Sequence, residues 1–344
     1  MTQKYNNVYI KETAVVTGPY EKKGPLSKYF DYSYDDLYFG CDSWEKAEIR
    51  ILTNSVQTLL SKANLPKNDI DLFISGDLLN QLAVSNYTAL NLQIPYLGIY
   101  SACASFCEEA IIAANMIEAK QANNIIVGAS SHNNAAEKQF RNPVEYGGPK
   151  RKTTTFTVTA GASALISSAK SAIKIESSTI GKVCDMNQKD PYHMGAVMAP
   201  AAGDTIYKHL LDTKRNLDYY DMIFTGDLGV IGKKILKDYM KKAYNMKLSN
   251  YDDTACMIYD LDKQEVYAGG SGPACAPATT YSYILNQMKK GVWKKVLIVA
   301  TGSLHNPSVV NQKMPIPSIA HAISLEANKW WHMLMHFCFV VFYV

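Results

Sequence analysis

A chain of 344 residues is long enough for two ordinary domains, or for one large duplicated domain with a sizeable core. Its 47% apolar and 19% charged residues exclude a disordered chain and suit a folded globular protein. A net charge of +4 is too small for this length to signal nucleic acid, and the lysine clusters at 233–242 and 289–295 read as solvated helix faces.

The seven cysteines (Cys41, Cys103, Cys107, Cys184, Cys256, Cys275 and Cys338) are odd in number, widely spaced and without a CxxC pair. Neither a disulfide framework nor a metal site is expected. The N-terminus MTQKYNNVYI has no apolar stretch behind its lysine, so a cytosolic or cytosol-facing protein is expected. At the other end, Trp330 to Val344 is strongly apolar but only 15 residues long, short of the roughly 20 needed to span a bilayer. Membrane-interface contact, packing on a partner and aberrant sequence all remain open for it.

In chain order, the run Asp71 to Ser75 is rich in β-formers and closed by Gly76, as expected of a buried parallel strand. Ala102-Cys103-Ala104 follows, and then a helix over 104–122 with apolar Phe106, Ala110, Ala113, Ala114 and Ile117 at helical spacing. Asn124 to Gly128 is a further strand. The order then recurs. Asp71 to Leu78 returns as Asp221 to Leu228, a shift of 150, and Ala102-Cys103-Ala104 returns as Ala274-Cys275-Ala276, a shift of 172. The second shift lays Ile126-Val127 on Ile298-Val299, inside the strand predicted over Lys295 to Ala300. Strand, helix and strand in series make right-handed parallel units. Two such halves, 1–172 and 173–326, predict an α/β five-layered αβαβα sandwich built by internal duplication, with an apolar tail over 327–344.

At Ala102-Cys103-Ala104-Ser105-Phe106 the chain resembles the nucleophile turn of the ketoacyl synthase III branch of the thiolase-like superfamily. Further motifs resemble the stage V sporulation protein AD family. They are Gly76-Asp77-Leu78-Leu79-Asn80-Gln81, Ser130-Ser131-His132-Asn133, Gln139-Phe140-Arg141 with Glu145-Tyr146-Gly147-Gly148, and Met198-Ala199-Pro200-Ala201-Ala202. Gly269-Gly270-Ser271-Gly272 and Ile316-Pro317-Ser318-Ile319-Ala320-His321 complete the set. The resemblance runs from about Gly24 to Glu326. It implies a thiolase-like fold and a sporulation protein that binds dipicolinic acid (pyridine-2,6-dicarboxylate) without catalysis. It also implies help to the membrane proteins of the spore dipicolinate channel, a homodimer, and a cytoplasmic location on the periphery of the forespore or spore inner membrane. No cofactor is implied.

The residues themselves weigh binding against catalysis. Cys103 sits where a strand turns into a helix N-terminus, whose free N–H groups and dipole favour an anion. A condensing enzyme also needs a His, with a second His or an Asn, to hold the oxyanion. In the synthase III branch these helpers follow the second-half strand and the glycine turn, where this chain has Thr225-Gly226-Asp227-Leu228 and Gly269-Gly270-Ser271. The alternative function is an acyltransferase using Cys103 as nucleophile, with His132 or His305 standing in. For a dianion, the expected binding set is Cys103, Ser131, His132, Arg141, Asp77, Asp227 and Gly270. Arg141 and Arg151 each offer a bidentate fork, beside the plainer reading of surface ion pairs. Asp77 and Asp227 read first as turn or helix caps and second as ligand contacts.

Overall fold

The computed structural model describes residues 1–140 and 150–328, so Arg141 lies outside the described residues. Ten strands carry the two halves. The first half supplies β1 (Tyr9–Thr17), β2 (Leu72–Gly76), β3 (Tyr96–Gly98), β4 (Asn124–Ser131) and β5 (Ala160–Ser167). The second supplies β6 (Ile173–Ile180), β7 (Met222–Thr225), β8 (Tyr251–Asp253), β9 (Lys295–Ser303) and β10 (Ser318–Ala327). Hydrogen bonding orders them β3-β2-β4-β5-β1-β6-β10-β9-β7-β8. From the centre outward, β1-β5-β4-β2-β3 is answered by β6-β10-β9-β7-β8. Pairing directions match as well. β2 runs parallel to β3 and β4 as β7 does to β8 and β9, and β5 opposes β4 as β10 opposes β9. The halves join where Tyr9 and Ile10 of β1 pair with Lys174 and Ile173 of β6.

The helices follow the same repeat: α1 (Trp44–Ala63), α2 (Ala83–Leu92), α3 (Ser105–Glu118), α4 (Asn133–Phe140), α5 (Met194–Thr213) and α6 (Gly229–Tyr244). The last pair, α7 (Cys275–Thr279) and α8 (Leu285–Lys289), is joined by a π-helical segment, Thr280–Ile284. Small residues decide the layering. Ala110, Ala113 and Ala114 let α3 lie close against β2, β4 and β5 on one side and β6, β9 and β10 on the other. The outer faces are covered by α1 with α2, and by α5 with α6. Five layers result.

Repeated residues do repeated work at the ends of elements. Asp71 Oδ2 accepts the N–H groups of Asn123 and Asn124 at 2.7 and 2.9 Å, and Asp221 Oδ2 accepts those of Lys294 and Lys295 at 2.6 and 2.9 Å. Each pair ties the start of a parallel strand to its neighbour. The helix expected over 104–122 ends earlier, at Glu118, because Lys120 turns into the left-handed region at φ 60°. β4 and β9 run on past their apolar stretches to Ser131 and Ser303. Those polar strand ends point the fold toward one shared edge, where α/β proteins gather ligands.

Candidate functional site

Cys103 stands on a sharp elbow. Ala102 takes left-handed backbone (φ 49°), uncommon for a residue with a side chain, and α3 starts two residues after the cysteine. Ser105 Oγ accepts the Ser101 N–H at 3.0 Å and holds the turn from inside. From the other half, the end of β9 presses on the elbow. A Cβ on Gly302 would lie 2.2 Å from the Ser101 carbonyl oxygen, so only glycine fits. Cys103 is 6% exposed and lines an inner cavity of about 40 Å³ with Glu137, Phe140, Ser271, Gly272 and His305. Leu78, Tyr100, Phe140 and His305 are shared with an outer chamber of about 320 Å³, whose walls add Asn80, Gln81, Gln139 and Asn306.

Of the residues expected to bind, the described ones lie toward this edge but do different things there. Asp227 is fully buried, and its carboxyl faces the Cys103 and Cys275 thiols while Oδ2 accepts the Gly272 N–H at 2.9 Å. Burial pushes that carboxyl well above its usual range, the two thiols and the Gly272 N–H pull it back down, and nearby Asp253 adds to the rise. Asp77 is a cap. Its Oδ1 accepts the Leu79 N–H at 2.8 Å, and its Oδ2 accepts the Ser85 N–H and hydroxyl at 2.8 and 2.7 Å.

Ser131 Oγ donates to the Val158 carbonyl at 2.6 Å and accepts the Ala274 N–H at 3.4 Å. It backs Gly272, where a Cβ would approach that hydroxyl to 2.7 Å. Gly270 packs behind the wall rather than in it, since a Cβ there would meet Cys275 Sγ at 3.0 Å. Its neighbours Ser271 and Gly272 line the cavity instead. His132 is buried outside the lining. Its Nε2 pairs with the Leu37 carbonyl at 2.8 Å, and its Nδ1 lies 3.2 and 3.4 Å from the Asn134 and Ala135 N–H groups at the start of α4. Burial lowers its pKa to about 4, so at neutral pH it is an uncharged cap. Arg151 reaches Asp190 at 2.7 Å on the surface, over the Tyr192 ring.

With this geometry in place, the comparisons with known proteins are decisive about family. The chain matches the family Stage V sporulation protein AD (SpoVAD) over residues 2–326. It belongs to that family. The SpoVAD-family assignment agrees with 43% identity over 319 residues to Stage V sporulation protein AD of Bacillus subtilis (strain 168), covering 93% of this chain and 94% of that protein. The fold is thiolase-like. A variant of Xanthomonas campestris OleA superposes with TM-score 0.61 at 12% identity, covering 94% of this chain and 99% of that one. Cerulenin-bound OleA gives 0.58 at 13%, covering 93% and 98%. The 3-oxoacyl-[acyl-carrier-protein] synthase III of Aquifex aeolicus VF5 gives 0.51 at 12%, covering 95% and 100%.

Several wall residues of this SpoVAD-family chain escaped the sequence reading. Glu137 lines the inner cavity and pairs with Lys150 at 3.2 Å. Phe140 packs on His305 with ring centroids 5.5 Å apart. Gln139 ties the outer wall together, donating to the Leu78 carbonyl at 2.6 Å and accepting the Asn80 N–H at 3.0 Å. Gln139 and Phe140 stand inside a motif that marks the family resemblance, which was the available signal. Glu137 carries no such signal.

Proposed function

We propose that this protein binds dipicolinate in the outer chamber without turning it over, as part of the uptake of that acid into the developing spore. Family membership supports the reading, and so does the size of the chamber. An inner cavity of about 40 Å³ is too small for an aromatic ring, since roughly 150 Å³ holds benzene. The outer chamber, about 320 Å³, reaches the lower range of small-ligand sites, roughly 300 Å³. Amides of Asn80, Gln81, Gln139 and Asn306 with His305 supply polar groups at its wall. The observation that carries the non-catalytic part is Asp227. An acid buried against the Cys103 sulfur would, when ionised, disfavour the thiolate a nucleophile needs and repel an oxyanion.

Titration calorimetry with dipicolinate tests this. Saturable heat and a raised melting temperature are expected. Absence of both at millimolar ligand would remove the proposal. A second reading, acyl transfer, is favoured by His305 lining the same inner cavity as Cys103. It requires an acyl group to appear on Cys103 after incubation with acyl-CoA, seen by intact mass and lost in Cys103→Ala.

The same proposal includes a homodimer and a peripheral position at the membrane, beside membrane partners. For the homodimer, β3 ends the sheet order, and among the described residues no strand pairs with its outer edge, a template for another strand. Tyr87, Leu90, Leu97 and Tyr100 stand exposed beside it, and Tyr100 also lines both cavities. Sedimentation equilibrium decides the point: a dimer that a Leu97→Asp variant dissociates supports it, and a monomer at micromolar concentration ends it.

A further inference from the structure

A further cavity, of about 300 Å³, is lined by α1, α2 and the loop before α1, and it shares no lining residue with the inner cavity or the outer chamber. α1 gives it a row of side chains. Lys46, Arg50, Asn54 and Gln57 follow at steps of four, four and three residues, the spacing that stacks side chains along one face of a helix. Asn91 near the end of α2 and Cys41 from the preceding loop complete the polar wall. No carboxylate of a described residue lines it.

Arg50 is set in place by the fold. Its Nη1 donates to the Phe39 carbonyl at 2.6 Å, and a tight loop fixes that carbonyl. Asp36 Oδ1 accepts the Tyr38 and Phe39 N–H groups at 2.7 and 2.8 Å, and the Cys41 N–H donates to the Tyr38 carbonyl at 2.8 Å. The buried Phe39 ring stacks on Tyr34 with centroids 4.4 Å apart. Gly40 takes φ 73°, and a Cβ there would come within 3.0 Å of Arg50 Nη1. The other guanidinium donors meet no acid, since Arg50 forms no ion pair with a described residue. Neighbouring acids are already engaged. Asp42 pairs with Lys46 at 2.8 Å on the surface, Glu45 with Lys138 at 2.7 Å, and buried Glu48 accepts the Ser130 hydroxyl at 3.0 Å. The cavity is left with an excess of positive charge.

We propose that this cavity is a binding site for a small oxyanion, a carboxylate or phosphate compound, held by Arg50 and Lys46. A guanidinium pinned through one nitrogen keeps a planar array of donors that matches the oxygens of either group. The amides of Asn54, Gln57 and Asn91 can donate to the remaining oxygens, and Asn54 is oriented by its own bond to the Tyr34 hydroxyl. The volume reaches the lower range of small-ligand sites, roughly 300 Å³. The inference does not rest on the dipicolinate reading, because the two sites have no wall residue in common.

Cys41 supplies the test, being a half-buried free thiol in the wall. The full chain is treated with iodoacetamide at constant ionic strength, with inorganic phosphate or citrate as probe, and labelling is read by peptide mass spectrometry. A probe at millimolar concentration should slow labelling of Cys41 about tenfold, while Cys184, half-buried elsewhere, keeps its rate. Protection by phosphate alone assigns a phosphate compound, and protection by citrate alone a carboxylate. Arg50→Gln should raise the probe concentration needed about tenfold. Gln57→Glu should do the same by setting an acid in the wall at an exposed position, and it should keep the wild-type melting temperature. Cys41 left unprotected by both probes, or protected equally in Gln57→Glu, would overturn the proposal.

Discussion

Asp77 and Asp227 occupy the same place in the two repeats, yet only one of them does what the repeat suggests. Asp77 caps its own turn through Leu79 and Ser85. Asp227 is turned toward the Cys103 and Cys275 thiols, and in the second half the capping has passed to Asp253. That carboxylate accepts the Leu228 and Gly229 N–H groups at 3.2 and 3.0 Å and the Thr225 hydroxyl at 2.6 Å. A duplicated sequence therefore fixes the backbone twice, while the side chain's task depends on what the opposite half brings to it. One half supplies the sulfur and the other supplies the acid.

The sharpest test of this asymmetry sits on β4 and β9, where Ser130 and Gly302 are counterparts. Gly302→Val should cost on the order of 4 kcal/mol in urea unfolding, because the elbow backbone stands where the side chain would go. Ser130→Gly removes one hydrogen bond, to Glu48, and should cost about 1 kcal/mol. Equal costs would mean the two strand ends are interchangeable after all.

A second test concerns Glu21, which bridges the halves by accepting the Thr159 N–H at 2.9 Å and the Tyr259 hydroxyl. Burial raises its pKa from 4.5 to about 7. The native state therefore keeps a proton that the unfolded chain has lost, so this contribution is full below about pH 4.5 and is lost as pH rises through about 7. The loss is about 3 kcal/mol. The gap in unfolding free energy between wild type and Glu21→Gln should change over that window. Parallel curves would count against the bridge.

Next in size, Asp77→Ala should cost about 2 kcal/mol of stability, since it strips a buried cap of its hydrogen bonds. Asp227→Asn should cost less than about 1 kcal/mol, because it keeps an acceptor for Gly272. It should nevertheless speed alkylation of Cys103 by about tenfold at alkaline pH, where the carboxylate it removes disfavours the thiolate. Mass spectrometry of iodoacetamide-treated protein reads this directly. Unchanged alkylation would make Asp227 a mere spacer.

The fold was legible because the duplication preserved short-range signals: Gly-Asp-Leu after a strand, Ala-Cys-Ala before a helix, and alanines along α3. The site was less so. His132 and Ser131 end a strand at the right edge, but which way each points depends on the pleat and on a loop carrying Leu37, nearly a hundred residues away in sequence. Asp253 shows no motif at all. Its role is created by β8 lying next to β7, a contact that arises only once the sheet has formed. Gly270 looked like the cavity glycine of its run, and a shift of two residues gives that place to Gly272 instead.

The seam between the sheets has one more consequence. Tyr9 and Ile10 hydrogen-bond across to Lys174 and Ile173, and β9 of the late half buttresses an elbow of the early one. Neither repeat is therefore a self-sufficient folding unit: cut from its sister, each would expose an orphan strand and an unfilled hollow. Whatever ancestor carried a single copy had to find its other half by collision, and the covalent tandem has made that meeting intramolecular.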